Sequence, residues 1–186
     1  MTDRLQKTKA YIDGLLATRP QVIVAIDGNC TAGKSTLAGL LAEHYNCNVI
    51  HMDDFFLRPE QRTPERYAQP GGNVDYERFQ DEVLIPLKKN CDFSYRPLDC
   101  KTFTLKESVA VKPKKLTVIE GTYSQHPYFG DPYDLKITLT IDPETQRQRI
   151  GNRPAHLQER FLTLWIPMER TYLETFDIPG KSDLVF

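Results

Sequence analysis

The sequence predicts an α/β fold of three layers, with helices on both faces of a central, mainly parallel sheet of about five strands. Three observations carry this expectation. Short apolar runs rich in β-branched residues, at 22–26, 48–52, 116–121, 135–142 and 182–186, read as strands. Segments with apolar residues at three- and four-residue steps lie between them and read as helices. The first strand runs into Gly28-Asn29-Cys30-Thr31-Ala32-Gly33-Lys34-Ser35, which fits the pattern G-x-x-x-x-G-K-[ST] at every fixed position.

Strand, glycine loop and helix together are what phosphate binding requires. The glycines let the backbone fold closely around phosphate oxygens. Free N–H groups and the dipole at the helix start favour an anion. Lys34 adds a point charge for the β- and γ-phosphates, and the Ser35 hydroxyl can ligate Mg²⁺. Residues 28–36, ending at Thr36, are therefore the expected nucleotide-binding stretch. ATP or GTP is the expected phosphate donor and Mg²⁺ the expected metal.

The chain has 186 residues, enough for one domain with a substantial core. A net charge of −1 leaves no electrostatic footprint for nucleic acid or an anionic membrane. No apolar run reaches the roughly 18 residues of a membrane span, and the first residues lack a signal peptide's apolar core. Cys30, Cys47, Cys91 and Cys100 show no C-x-x-C spacing and read as reduced thiols of a cytoplasmic protein. The expected partners are a nucleoside triphosphate and a small-molecule acceptor, with homo-oligomerisation left open.

Taken in order, residues 1–20 form an N-terminal helix, with Leu5, Ile12, Leu15 and Leu16 on one stripe. It is expected on an outer face of the sheet. After the phosphate-loop helix, the second strand runs into Asp53-Asp54-Phe55-Phe56. Ligands of parallel sheets bind beyond the carboxyl ends of strands, which brings both carboxylates near the phosphate loop. A carboxylate there can orient an acceptor hydroxyl or take its proton. Residues 57–74, rich in Pro, Arg, Gln and Gly, read as a long loop. Asp75 then stands at the N-cap of a helix carrying Phe79, Val83, Leu84 and Leu87 on one face.

Residues 91–112 are expected to form a small β-hairpin flap, with 93–96 and 101–105 flanking the Pro97–Cys100 turn. The strand at 116–121 ends in Glu120, at the position where nucleotide-binding folds keep an acid for Mg²⁺. The region 143–160 carries Arg147, Arg149, Arg153 and Arg160 and reads as a lid over the transferring phosphoryl group. The last helix shows Leu157, Phe161, Leu164, Trp165, Met168, Tyr172 and Phe176 at helical steps, which reads as a core-packing face kinked at Pro167.

These residues in this order resemble the uridine kinase family of P-loop kinases, with nicotinamide riboside kinases and phosphoribulokinases as relatives. The carriers are Gly28 to Ser35, His51-Met52-Asp53-Asp54-Phe55-Phe56, Asn73-Val74-Asp75, Tyr95, Ile119-Glu120-Gly121 and the arginine segment. The resemblance implies a phosphotransferase acting on the 5′-hydroxyl of a ribonucleoside. By it, Asp53 is the catalytic carboxylate, with Lys34, Arg149 and Arg153 beside it. Phe56, Asp75 and Tyr95 join Asp53 in holding the acceptor, Asp75 through the ribose hydroxyls and Tyr95 by packing on the base. Ser35 and Glu120 attend the metal. Two departures stand out. Arg96-Pro97-Leu98-Asp99-Cys100 replaces the aromatic and histidine that read a pyrimidine, and Arg153-Pro154-Ala155-His156 replaces the usual arginine-glycine-arginine of the lid. Other acceptors (nicotinamide riboside, a pentose phosphate, a pantothenate-like alcohol) and a nucleotide-binding regulator without acceptor are the alternatives.

Overall fold

The computed structural model describes residues 2–186. Five strands form one parallel sheet in the order β2 (Cys47–His51), β5 (Leu116–Glu120), β1 (Val22–Gly28), β6 (Leu135–Leu139) and β7 (Leu184–Val185). A strand covered on both faces needs an unbroken apolar run. β1 and β5 come near this condition, with Asp27, Thr117 and Glu120 as the polar exceptions, and every residue of each is buried. The register puts Ile26 and His51 on either side of Glu120, so β5 and β2 end level, β1 runs two residues further to Gly28, and the three share one carboxyl-terminal rim.

Alternation along the strands feeds two cores. On one face Val22, Val24, Ile26, Val118 and Ile137 pack against Leu37 and Leu41 of α2 (Lys34–His44) and Ile12 of α1 (Thr2–Thr18). Ile12 is fully buried, and Leu5, Leu15 and Leu16 pack beside it. On the other face Ile23, Ile50 and Ile119 meet Phe55, Phe79, Leu87, Tyr95 and Tyr172. Gly28 ends β1 at φ 118, where a Cβ would stand 2.0 Å from the Leu139 carbonyl oxygen. Only glycine tolerates both the torsion and the approach.

The loop after β2 contains α3 (Pro64–Tyr67), and α4 (Tyr76–Phe79) and α5 (Ile85–Lys88) follow it. Asp75 caps α4 by accepting from Arg78 N. One π turn, Gln80–Leu84, precedes Pro86, and a second, Phe161–Trp165, precedes Pro167. Each proline removes a backbone donor, and a wider turn lets the helix continue past it. The expected kink at Pro167 is thus a π turn between α7 (Ala155–Arg160) and α8 (Ile166–Thr175).

Two further expectations are corrected. The hairpin pairs β3 (Phe93–Tyr95) with β4 (Val109–Val111), not with 101–105. The intervening chain forms a smaller loop closed by a bridge between Leu98 and Leu105. The β-branched Val109 and Val111 hold the outer pairing, opposite Tyr95 and Phe93. The last helix is not core along its whole length. Ile166, Tyr172 and Leu173 are buried, but Leu157, Phe161, Leu164, Trp165 and Met168 are only half-buried. Within the 143–160 region, α6 (Pro143–Gly151) stops before Pro154, and α7 starts beyond it.

Candidate active site

The glycine loop joins the end of β1 to the start of α2. The backbone N–H groups of Thr31, Gly33, Lys34, Ser35 and Thr36 find no acceptor among the described residues. Thr31 and Gly33 both have positive φ, at 63 and 100. Alternating torsions of this kind turn successive N–H groups toward one concavity, an anion-binding nest. Lys34 runs back along the loop, and its ammonium donates to Gly28 O at 2.9 Å, Asn29 O at 2.8 Å and Thr122 Oγ1 at 3.1 Å. The charge is thereby held at the loop and buried. The Cys30 thiol is half-buried, and burial, with Glu169 next in effect, pushes it up to about 12. It stays protonated at neutral pH.

Across the loop stands a rim of acids. Glu120, buried at the end of β5, uses Oε1 to accept from Ser35 Oγ at 3.1 Å and to meet His51 Nδ1 at 2.5 Å. His51 is pushed up, first by that hydrogen bond and then by the charges of Glu120, Asp54 and Asp53, against the opposing effect of burial. Asp53 begins the turn after β2. Its side chain is exposed, and no hydrogen-bond donor reaches its carboxylate among the described residues. Desolvation, and next the charge of Glu120, raise its carboxyl above the ordinary range, while Lys34 and His51 oppose them. Asp54 is raised by burial and receives Tyr95 Oη at 3.3 Å.

Hard oxygen donors suit Mg²⁺, which keeps most of its shell as water and substrate phosphate. Among the described residues no three His, Cys, Asp or Glu side chains gather as a ready-made cage. An exposed Ser35 hydroxyl beside a buried carboxylate, with the raised Asp53 near, is a fitting donor set for such an ion. Ser35 and Glu120 are the residues that would hold it.

On the acceptor side, Asp75 is buried and fully engaged. Oδ1 caps α4 at Arg78 N, and Oδ2 accepts Gln61 Nε2 at 2.7 Å. A cleft of about 360 Å³ opens beside it, lined by Leu57, Gln61, Arg66, Asp75 and Glu77. Tyr95 is buried against Phe55 with ring centroids 5.2 Å apart, and Phe56 is half-buried, bridging Val74. Tyr95 therefore presents its hydroxyl to Asp54 rather than an open ring face. The sequence-predicted Lys34, Ser35, Asp53 and Glu120 come together at the sheet rim. Arg149 joins them, donating to Thr31 O at 2.7 Å. The Arg153 side chain is exposed and makes no hydrogen bond or ion pair among the described residues.

Four residues escaped the sequence reading. Glu169 on α8 is 3% exposed, yet its carboxylate accepts from Cys30 N at 2.6 Å and Asn29 Nδ2 at 2.9 Å. Gln146 on α6 joins Glu169 to Cys30. Thr122 stands between Lys34 and Glu169. Asp27, last but one in β1, accepts from the N–H groups of Gly28, Tyr123 and Gln125 and from Tyr172 Oη. Asp27 carried the one usable signal, an acid inside an otherwise apolar strand. The others pair with residues far away in sequence.

No family model matches the chain. A candidate uridine kinase of Schizosaccharomyces pombe is 27% identical over 167 residues, which is 75% of this chain and 68% of that protein. The chain is similar to the uridine kinase family. In fold, a candidate uridine kinase from Bacillus stearothermophilus matches 97% of this chain and 99% of its own, at TM-score 0.68 and 24% identity. A candidate fructose transport system kinase from a Silicibacter species matches 98% of each chain at TM-score 0.75 and 21% identity. The D-glycerate 3-kinase of Cryptococcus neoformans covers 89% of this chain and 87% of its own, at TM-score 0.64 and 15% identity. The fold is that of the P-loop kinases, and the uridine kinase likeness rests on sequence as well as architecture.

Proposed function

We propose that the chain is a small-molecule kinase that transfers the γ-phosphoryl group of ATP or GTP to an acceptor hydroxyl, the 5′-hydroxyl of a ribonucleoside fitting best. One observation carries the reading. A loop of N–H groups unpaired among the described residues lies near a carboxylate, Asp53, that has no donor among those residues and whose proton affinity is raised.

The residues divide the work. The N–H groups of the glycine loop bind the phosphates and align the γ-group, with Lys34 supplying positive charge beside them. The raised carboxyl of Asp53 orients the acceptor hydroxyl and takes its proton as the oxygen closes on phosphorus. The bond from γ-phosphorus to the bridging oxygen breaks, and the nucleoside diphosphate leaves with that oxygen. Mg²⁺ when bound neutralises charge on the phosphates. His51 holds Glu120 in place beside Ser35. Arg149, already on the loop at Thr31, is in reach of the phosphates, and Arg153 is free to join it when the 143–160 lid closes. Asp75 would hold the ribose hydroxyls in exchange for Gln61.

A feature of the acceptor side bears on the alternatives. Its arginines are already engaged: Arg66 by both oxygens of Glu77, Arg62 by Leu57 O, Arg78 by Glu82 and by the Asp54 and Arg96 carbonyls, and Arg96 by the carbonyls of Leu105 and Lys106. The carboxylates of Asp53 and Asp54 have fewer partners. This balance favours an uncharged or cationic acceptor, such as uridine or nicotinamide riboside, over a pentose phosphate or a pantothenate-like acid. No helix among the described residues is long and apolar enough to cross a membrane. The test is nucleoside diphosphate formation from ATP and from GTP across a panel of nucleosides and small alcohols. A regulatory nucleotide binder would release it slowly and regardless of acceptor.

A further inference from the structure

We propose that Glu169 is a positioning residue for the nucleotide: its carboxylate fixes Asn29 and Cys30, and so sets the direction of the free N–H groups that follow them in the glycine loop. The inference rests on the reading of that loop as a triphosphate site.

Glu169 lies in the first turn of α8 and is 3% exposed. A carboxylate so deeply buried is costly unless donors surround it. Three donors do. Asn29 Nδ2 at 2.9 Å and Gln146 Nε2 at 3.1 Å reach Oε1, and Cys30 N at 2.6 Å reaches Oε2. Two of the three belong to the glycine loop. Gln146 also donates toward Cys30 O at 3.3 Å, so the third donor serves the same stretch. Thr31, the next residue, takes a left-handed torsion, and the unpaired N–H groups begin there. A residue that anchors Asn29 and Cys30 therefore fixes the starting frame of the nest.

The chemistry explains why the residue is charged. A negative group behind a phosphate site opposes the ligand by simple attraction and repulsion, so a neutral residue would serve better if charge alone mattered. A glutamine, however, offers one acceptor oxygen to three donors, whereas a carboxylate offers two. The geometry is served at some electrostatic cost. The placement also ties the loop to the two helices that flank residues 152–165. α6, with Gln146 and Arg149, enters the 152–165 segment, and α8, with Glu169, leaves it. Between them the two roots of that segment grip three loop residues: α6 holds Cys30 and Thr31, and α8 holds Asn29 and Cys30.

The experiment measures affinity for ATP by calorimetry without acceptor, alongside turnover and melting temperature, for Glu169→Gln, Asn29→Asp and the double exchange Asn29→Asp/Glu169→Gln. Hydrogen bonds to a buried charge predict about a tenfold loss of ATP affinity in each single variant. In the double variant, donor and acceptor trade sides and most of the affinity returns. The KM for ATP follows these changes, while the KM for the acceptor stays within about twofold and all three variants melt cooperatively. Asn29→Ala, at a half-buried position, gives a second reading if a charged variant fails to fold, with a smaller loss of ATP affinity expected. Wild-type affinity in the single variants overturns the inference. So does a double variant as weak as the product of the two singles, or a loss that falls equally on acceptor and ATP. A wild-type chain that bound no nucleotide would overturn the triphosphate reading itself and this inference with it.

Discussion

The Ser35 hydroxyl lies 3.1 Å from Glu120 Oε1, and the same oxygen meets His51 Nδ1. The second carboxylate oxygen of Glu120 has no hydrogen-bond partner among the described residues. His51 orients a carboxylate that Ser35 touches, an arrangement in which the partner behind a ligand tunes it. Glu120→Gln should therefore raise the Mg²⁺ concentration needed for half-maximal turnover about 10–100-fold. A Mg²⁺ titration of nucleoside diphosphate formation checks this, and an unchanged requirement would remove Glu120 from the metal site.

Asp53 combines an exposed position with a raised carboxyl, which suits the proposed role in proton transfer. Its carboxyl is raised, first by desolvation and then by Glu120, so the ionised form is the one the fold disfavours. Asp53→Asn should lower kcat by about 10²–10⁴ and raise the melting temperature. The sign of the pH dependence follows. Above the raised value the wild type carries the unfavourable charge and the variant is the more stable of the two. As pH falls through that value the wild type takes up its proton and the difference closes. Wild-type turnover should fall over the same interval. Parallel melting and rate profiles of the two proteins read both effects.

His126 gives the opposite dependence at a site away from the chemistry. Its ring stacks on Tyr76 with centroids 4.5 Å apart, accepts from Tyr128 N at Nδ1 and meets Pro70 O at Nε2. That is the hydrogen bonding of a neutral imidazole. Burial lowers its proton affinity from the ordinary 6.5 to about 4. The unfolded chain then protonates first, so stability is full above about 6.5 and drains as pH falls toward 4, by about 3 kcal/mol in all. The wild type should lose stability in denaturant more steeply than His126→Phe between pH 7 and pH 4.5. Equal slopes would place a charged histidine in the fold.

Much of this was legible in the sequence because the signals were local. The glycine pattern fixed its own loop, and Asp53 and Glu120 were found because each closes a short apolar strand whose end the parallel arrangement brings to one rim. What stayed hidden depends on which distant partner wins. Glu169 is 140 residues from Asn29 and sits in a helix whose apolar stripe drew attention to packing instead. The hairpin misled for a related reason. The nearest extended segments, 93–96 and 101–105, looked like natural partners, but Val109 and Val111 offered the better cross-strand surface. The stripe Leu157, Phe161, Leu164, Trp165 and Met168 has core periodicity but is only half-buried, and periodicity alone cannot reveal whether an apolar face finds a full partner.

The central claim is acceptor-dependent phosphoryl transfer through Asp53, and one measurement addresses it most directly. Nucleoside diphosphate formation is followed with ATP, with and without each acceptor of a nucleoside panel, for the wild type and for Asp53→Ala. The account predicts rapid release only when the right nucleoside is present, an equal amount of phosphorylated nucleoside, and loss of nearly all turnover in Asp53→Ala. Slow release that is the same with every acceptor and with none, or turnover undiminished in Asp53→Ala, would contradict it.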